Sequence, residues 1–433
     1  MKNFSNNLFL YSIFFLASSP LISSLLIIFS YLLNFNFDKK NYFKDIWSII
    51  LFSIGILLVI SAVYNFHNNS ELIEYGWNKW ESFYGLTNWI PLFILFPYFQ
   101  FQVNSNSKRE KFMKYLLAGS IPVIVTGLAQ YFLKVYGPFY TFNKLIIWFM
   151  KDISQDQNYG LSGLFSNQNY AAVWLGHIFP ISVVLIFKKK NHIKQILNFI
   201  LISLIVLCLT LTKSRGVFFS FFLTLNTFIS IKFMIILAIP MLVIFVFPLL
   251  TFFTFLPEPL INFLKLISPN FAIEKYSEYI YQYGTIFPRL KIFAKSFEII
   301  SVRPIFGWGA FSVPILFYMY DFLVSNSDKV LIQHSHNIVT EISLNYGLIA
   351  SISIILFIVT LTIISGRFIF INQTNSFESK IDKAWMIAFI ILALNQLVDL
   401  TFYDLRINIS LWIFIAGLRS IIRENNLRNY QEI

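Results

Sequence analysis

The chain has 433 residues, 57% hydrophobic, 19% aromatic and only 12% charged, with a formal net charge of +12 and a mean hydropathy of +0.67. A water-soluble domain cannot hide that much apolar surface. Its continuous apolar runs of about 20 residues are those of a helical membrane protein, not the alternating segments of about 10 residues that build a β-barrel. The positive charge falls between the runs, the pattern of Lys/Arg-rich cytoplasmic loops rather than of a nucleic-acid-binding face.

In chain order, spans are predicted near 8–33, 46–65, 86–103, 113–136, 168–187, 195–212, 216–231, 233–256, 345–365, 384–403 and 406–422. The first run has one lysine before it and no small-residue cleavage site, so it reads as a retained helix. It can be one helix or, bent at Ser19-Pro20, a hairpin; the count is therefore about eleven or twelve. Cys208, the single cysteine, lies inside an apolar run, which excludes a disulfide framework and a cysteine-based metal site. Basic clusters stand at Lys39/Lys40/Lys44, Lys108/Arg109/Lys111, Lys188/Lys189/Lys190/Lys194, Arg367/Lys380/Lys383 and Arg419/Arg423/Arg428. Placing all five in the cytoplasm puts 66–85, 137–167, the turn "TKSRG" and the segment 257–344 outside. The expected architecture is an all-α polytopic membrane protein in four parts: N-terminal spans (1–136), central spans (137–256), one large outer loop (257–344), and C-terminal spans with a tail (345–433).

The large loop is rich in aromatics and poor in Gly and Ser, so it folds rather than merely connects. Phe287-Pro288 predicts a helix over about 289–301 with proline in its first turn. On it Arg289, Ile292, Phe293, Ser296, Phe297 and Ile300 share one stripe, and Lys291, Lys295 and Glu298 lie on another. "RPIFGWG" (303–309) ends that helix.

The polar residues with chemical potential gather at the outer edges of spans. In "QHSHNIVTEISLNYG" (333–347), His336 can act as a general base near neutral pH, or can be an interfacial polar residue together with His334. Asn337 can orient a ligand or cap the next helix. His-Ser-His offers only two metal ligands, so no metal site is expected. Arg215, in "LTKSRGVFF", can bind an anion bidentately or snorkel at the interface. Arg289 lies on the apolar stripe, where a lipid phosphate or a salt bridge would offset its burial. Arg303 is a weaker companion because Arg-Pro at a turn is often structural. From 289 to 303 there are four basic residues and one acid. In "GLFSNQNYAAVW" (163–174), Asn167 and Asn169 can bind sugar hydroxyls, or Asn167 can cap the helix.

Together these stretches resemble the O-antigen ligase and O-antigen polymerase superfamily. The resemblance is carried by "SRG" after a span, the long outer loop with its Arg-led helix and "RPIFGWG", and then His336-Asn337, nine residues (338–346) and Gly347. "GLFSNQNYAA" adds a G-x-x-x-N-x-N-x-x-A pattern, and the shared region covers roughly 160–365. Ala350 departs from the ligase pattern, which often has a further glycine there.

The resemblance implies a glycosyltransferase of the bacterial inner membrane that takes a glycan from undecaprenyl pyrophosphate on the periplasmic face. The acceptor would be a lipid A core sugar (ligase) or another lipid-linked glycan (polymerase). His336 would be the base, and Arg215 and Arg289, with Arg303, would grip the diphosphate. His334, Asn337, Asn167 and Asn169 are candidate substrate contacts. An inverting transfer that needs neither metal nor cofactor is expected, because arginines can take the place of a divalent cation at the diphosphate. A different class, a bicarbonate-linked transporter, would carry its site near the midplane on broken or charged spans, and these spans carry almost no interior charge.

Overall fold

The structure, a computed structural model, describes residues 2–34, 42–154, 159–188, 192–214, 220, 223–224, 247–252, 256–268, 273–274, 276–277, 280–281, 288–320, 332–371 and 376–431. Among them the chain is almost entirely helical, with one small hairpin. Helices α1 (Lys2–Phe15), α2 (Pro20–Leu33), α3 (Ile46–Asn68), α4 (Ile90–Gln102), α5 (Asn106–Gly119) and α6 (Ile121–Phe132) come first. The antiparallel strands β1 (Phe139–Thr141) and β2 (Ile146–Trp148) pair Phe139 with Trp148. Then come α7 (Gln168–Val184), α8 (His192–Leu211), α9 (Glu258–Ile267), α10 (Pro288–Val302), α11 (Val313–Met319), α12 (Ile338–Tyr346), α13 (Leu348–Ile371), α14 (Phe377–Asn395) and α15 (Leu405–Gln431).

Six helical stretches among the described residues are long and apolar enough to cross a membrane: Ile46–Asn68, Asn106–Phe132, Gln168–Phe187, His192–Leu211, Leu348–Phe370 and Leu405–Asn426. The chain is an all-α multi-pass membrane protein. Several expected spans differ in detail. The first apolar run is the hairpin α1–α2, broken before Pro20, whose ring cannot continue α1. Ser5 and Ser30, near its two open ends, exchange hydrogen bonds, Ser5 Oγ to Ser30 O at 2.8 Å and Ser30 Oγ to Ser5 O at 2.6 Å. At 14 residues each, these helices are about 21 Å long, short of a bilayer core of about 30 Å. The run at 86–103 likewise yields only the 13-residue α4. The run at 384–403 stops as a helix at Asn395, and 345–365 is divided at Gly347 into α12 and α13. The expected spans 216–231 and 233–256 lie largely outside the described residues.

The chain divides into two compact units. The first comprises Met1–Ile56, Thr87–Thr224 and Ser353–Ile433. Its centre is α15: 89% of its most apolar window is buried, against 17% for α8, whose Ile193, Ile196, Leu197 and Phe199 face outward as lipid-contacting side chains do. Trp385 and Trp412 are fully buried there, and Trp385 Nε1 donates to Phe414 O at 2.9 Å. At the start of α5, Arg109 is wholly buried and donates to Asp382 at 2.9 Å and to Glu424 at 2.8 Å. One guanidinium thus ties α5 to α14 and α15.

The second unit comprises Leu57–Leu86 and Leu225–Ile352. One core cluster organises it: Leu72, Trp77, Ile292, Ile299, Ile300, Trp308, Val313, Leu316, Phe317, Ile332 and Leu344. The helix expected at 289–301 is present as α10, but its buried face is Ile292, Ser296, Ile299 and Ile300, while Phe297 is 61% exposed. The stripe is rotated because more than half of this helix's circumference is apolar, so period alone does not select the inward side.

Removing Arg109 takes the guanidinium away from two carboxylates that are only about a fifth exposed. Arg109→Gln is expected to lower unfolding stability by about 3 kcal/mol. Lys114→Gln, which removes an exposed i,i+4 partner of Glu110, should cost no more than about 0.5 kcal/mol. Thermal unfolding of the two purified variants in the same detergent checks the difference.

Candidate active site

Helix α12 begins at Asn337, whose Oδ1 accepts from Val339 N at 2.8 Å and Thr340 N at 3.4 Å. This is the capping reading of Asn337. Just before the cap stand His334, Ser335 and His336. The two imidazoles meet edge to face with centroids 4.3 Å apart. His336 adopts φ +57°, the left-handed region, which non-glycine residues enter rarely and mostly where surrounding contacts hold them.

Those contacts come from Glu341, one turn into the helix and only 3% exposed. Its Oε2 accepts from Ser335 N at 2.9 Å and Ser335 Oγ at 3.0 Å, and its Oε1 accepts from Asn345 Nδ2 at 3.3 Å. Thr340 Oγ1 and Ser335 Oγ lie 2.9 Å apart, and Thr340 Oγ1 stands 3.0 Å and Ser335 Oγ 3.1 Å from Asn337 O. A buried carboxylate with charge-assisted bonds to a loop backbone is a strong fastener. It fixes the loop on both sides of His336 while His334 and His336 themselves remain half-buried.

The other end of α12 is tied to the "RPIFGWG" segment. Trp308 N donates to Leu344 O at 2.7 Å, Gly309 N to Asn345 O at 3.1 Å, and Leu348 N to Pro304 O at 2.7 Å. Gly347 ends α12 with φ +89°, and a Cβ there would overlap Ile305 O. Gly307, with φ +65°, lies so close that a Cβ would stand 2.6 Å from Leu344 O. These two glycines are required by backbone meeting backbone. The carbonyls of the segment are taken up in turn: Phe306 O by Ser61 Oγ at 2.7 Å and Asn65 Nδ2 at 2.8 Å, Trp308 O by Asn69 Nδ2, and Ala310 O by Trp77 Nε1 at 3.0 Å.

The arginines of this unit separate. Arg303 donates to Asn69 Oδ1 and to Glu71 Oε2 at 3.1 Å, and its guanidinium lies 4.0 Å over the Trp308 ring. Burial raises the pKa of the nearby Tyr320 phenol, Glu71 and Glu298 add to the rise, and Arg303 opposes it. Arg289, half-buried, stands in the first turn of α10. Fourteen residues of helix put it about 21 Å from Arg303 along the axis, too far for both to hold one diphosphate. Arg303 lies beside the tie to α12, and Arg289 lies at the end of α10 away from it. His336, likewise, lies at the end of α12 away from the tie. Arg215 lies outside the described residues.

In the first unit, Asn167 caps α7, accepting from Asn169 N at 2.8 Å, and Asn169 Nδ2 donates to Asp399 Oδ2 at 2.7 Å. The segment before them is fastened by Gln130, fully buried, which bonds Lys151 O, Ser162 Oγ, Ser162 N and Gly163 N. Asp404 pairs with Arg406, both side chains 8% exposed.

Glu341, Ser335, Thr340 and Gln130 were not singled out from sequence. The available signal was an acid four residues after a capping Asn, and a lone glutamine in an apolar run.

No curated protein matches this chain. The family model described as O-antigen ligase matches residues 171–355. That region includes the histidine loop, α10, the "RPIFGWG" segment and Gly347, and starts just after Asn167 and Asn169. Over residues 171–355 the chain is therefore similar to the O-antigen ligase family, and the chain is a multi-pass membrane protein.

Proposed function

We propose that this protein transfers a glycan from undecaprenyl pyrophosphate to an acceptor hydroxyl, with His336 as general base. The observation that carries this reading is the backbone of His336. It is held in a left-handed conformation, between a helix cap and a buried carboxylate network, inside the family-matched region. Such a conformation costs on the order of 1 kcal/mol, and here the loop on both sides of it is fastened.

The chemistry balances without a nucleotide or a metal. The anomeric carbon loses its bond to the diphosphate oxygen and gains one to the acceptor oxygen, on the opposite face. His336 Nε2 or Nδ1 takes the acceptor proton, and the diphosphate leaves with the bonding pair. Arginine donors stabilise that growing negative charge, an effect worth about 3 kcal/mol per well-placed donor. Arg289 and Arg215 are assigned that task. Arg289 is supported by its place at the end of α10 remote from the tie. Arg303 is assigned to holding the "RPIFGWG" segment, because Asn69, Glu71 and Trp308 already engage it. His334 and the Asn169–Asp399 pair are assigned to substrate hydroxyls, while Asn337 and Asn167 serve as caps. The acceptor is a lipid A core sugar, and the reaction takes place on the periplasmic face of the inner membrane.

His336→Asn separates chemistry from folding, because asparagine tolerates the left-handed region but cannot act as a base. The variant is expected to insert and fold like the parent, and transfer from a purified lipid-linked donor should fall by 10² to 10⁴, roughly the range of general-base catalysis. Transfer at the parental rate rejects the base assignment.

Arg289→Lys keeps the charge and loses the planar fork, so turnover per folded molecule should drop by about tenfold or more. Arg303→Lys should instead lower the thermal midpoint with nearly unchanged turnover of the folded fraction. Equal kinetic losses in both variants would contradict the division made here.

A glycan profile of a deletion strain tests the reaction itself. Loss of all polymer from lipid A core, with lipid-linked polymer accumulating, is the expected result. A single repeat unit on the core would make the enzyme a polymerase, and unchanged glycans would overturn the assignment.

A further inference from the structure

The apolar surface of the span Asn106–Phe132 continues past the end of its helix. Phe132 and Leu133 are 59% and 73% exposed. The chain then enters the β1–β2 hairpin, in the same unit, where Phe139, Tyr140, Phe142 and Leu145 are exposed as well. Leu145 N donates to Phe142 O at 3.1 Å, and the two residues between them, Asn143 and Lys144, have φ +52° and +69°. Positive φ at both central positions is what a type I′ hairpin turn requires. The turn leaves Phe142 72% and Leu145 64% exposed at the tip.

This outward display belongs to a held structure. At the base of the hairpin Gly137 N donates to Met150 O at 2.9 Å, Met150 N to Gly163 O at 2.8 Å, and Gln130 Nε2 to Lys151 O at 2.6 Å. Ile146 and Met150 are buried. A patch of large apolar side chains on an anchored hairpin calls for a cover, which is either protein or lipid. Composition separates the two. From Tyr131 to Lys151 the chain carries Lys134, Lys144 and Lys151 and no acid. Lysine is depleted from protein–protein interfaces, whereas aromatic side chains beside snorkelling lysines are what the membrane–water boundary takes. Lys134 Nζ lies 5.4 Å from the centroid of Tyr131, and Lys144 Nζ 5.7 Å from that of Tyr140.

Continuity and length agree with lipid. On the span itself Ile121 and Val125 are exposed, so the patch prolongs a side that already faces the membrane. Strands of three residues reach about 10 Å, comparable with the depth of about 5–10 Å to which interfacial elements bury.

We propose that this hairpin is a membrane-surface anchor. Phe139, Tyr140, Phe142 and Leu145 lie at the boundary between lipid headgroups and acyl chains, and the ammonium groups of Lys134 and Lys144 contact lipid phosphates. Gln130 also holds Ser162 and Gly163, so the anchor sets the level in the membrane of the segment that leads to Asn167 and α7. The inference does not rest on the glycan-transfer reading.

Phe142→Cys and Leu145→Cys, made separately in the full chain, are labelled with a polarity-sensitive fluorophore and reconstituted in phospholipid nanodiscs. Cys208 is fully buried, and the parent chain treated in parallel gives the background. Both labels should be quenched more by a nitroxide near the lipid headgroup than by one at the chain end, and only weakly by acrylamide. Strong acrylamide quenching without a nitroxide effect puts the tip in water and overturns the proposal. Protection from both quenchers means that protein covers the tip, which overturns it equally, and stronger quenching from the chain end overturns the interfacial placement. Lys134→Glu/Lys144→Glu in the labelled chains sets like charge against the phosphates and should move the label toward acrylamide. A label unmoved by that change overturns the phosphate contact.

Discussion

A polar group inside an apolar helical assembly has to find its partner within the protein, because neither lipid nor a packed core supplies one. This constraint governs how the described parts of the chain are joined. Ser5 and Ser30 close the first hairpin by exchanging hydrogen bonds. Gln130 uses both ends of its amide to hold Lys151, Ser162 and Gly163. Gln396 does the same for Thr401, donating to Oγ1 at 2.7 Å and accepting from the backbone N–H at 3.1 Å, where α14 stops being helical. Apolar packing is abundant everywhere in this sequence and so discriminates little between arrangements. The few polar side chains, each with few possible partners, do most of the specifying.

The same logic builds the candidate active site. The left-handed turn at His336 lies between two fastened neighbours. It is held from one side by the Asn337 cap and from the other by Glu341 reaching back to Ser335. The far end of α12 is locked where Trp308, Gly309 and Leu348 bond to Leu344, Asn345 and Pro304. A backbone held by such a frame is settled in advance, and for the base role proposed for His336 such pre-organisation is a large part of what an enzyme contributes.

Much of this was legible in the sequence, and the limits are physical. Pro288 correctly marked the start of α10, and Asn337 and Asn167 are the caps that their positions before apolar runs suggested. The inward face of α10 was misplaced at Phe297, since hydrophobicity does not distinguish a core-facing side from any other apolar side. Glu341 escaped notice because a carboxylate in a sequence looks like a solvated charge until the burial around it is known. The importance of Gly307 and Gly347 was visible only as a pattern. Its cause, the close approach of two backbones, needs three dimensions.

Charge shows the same limit. The stretch 289–303 has four cations and one acid, which suggests a diffuse attraction for anions along the whole helix. In the fold, Lys295 pairs with Glu298 at 2.9 Å and Arg303 with Glu71 at 3.1 Å. Each pair is close to neutral from a few ångströms away, so the C-terminal half of α10 contributes little long-range field. A count of charges along the sequence therefore overstates the field of the folded segment, because it does not show which cations lie against an acid.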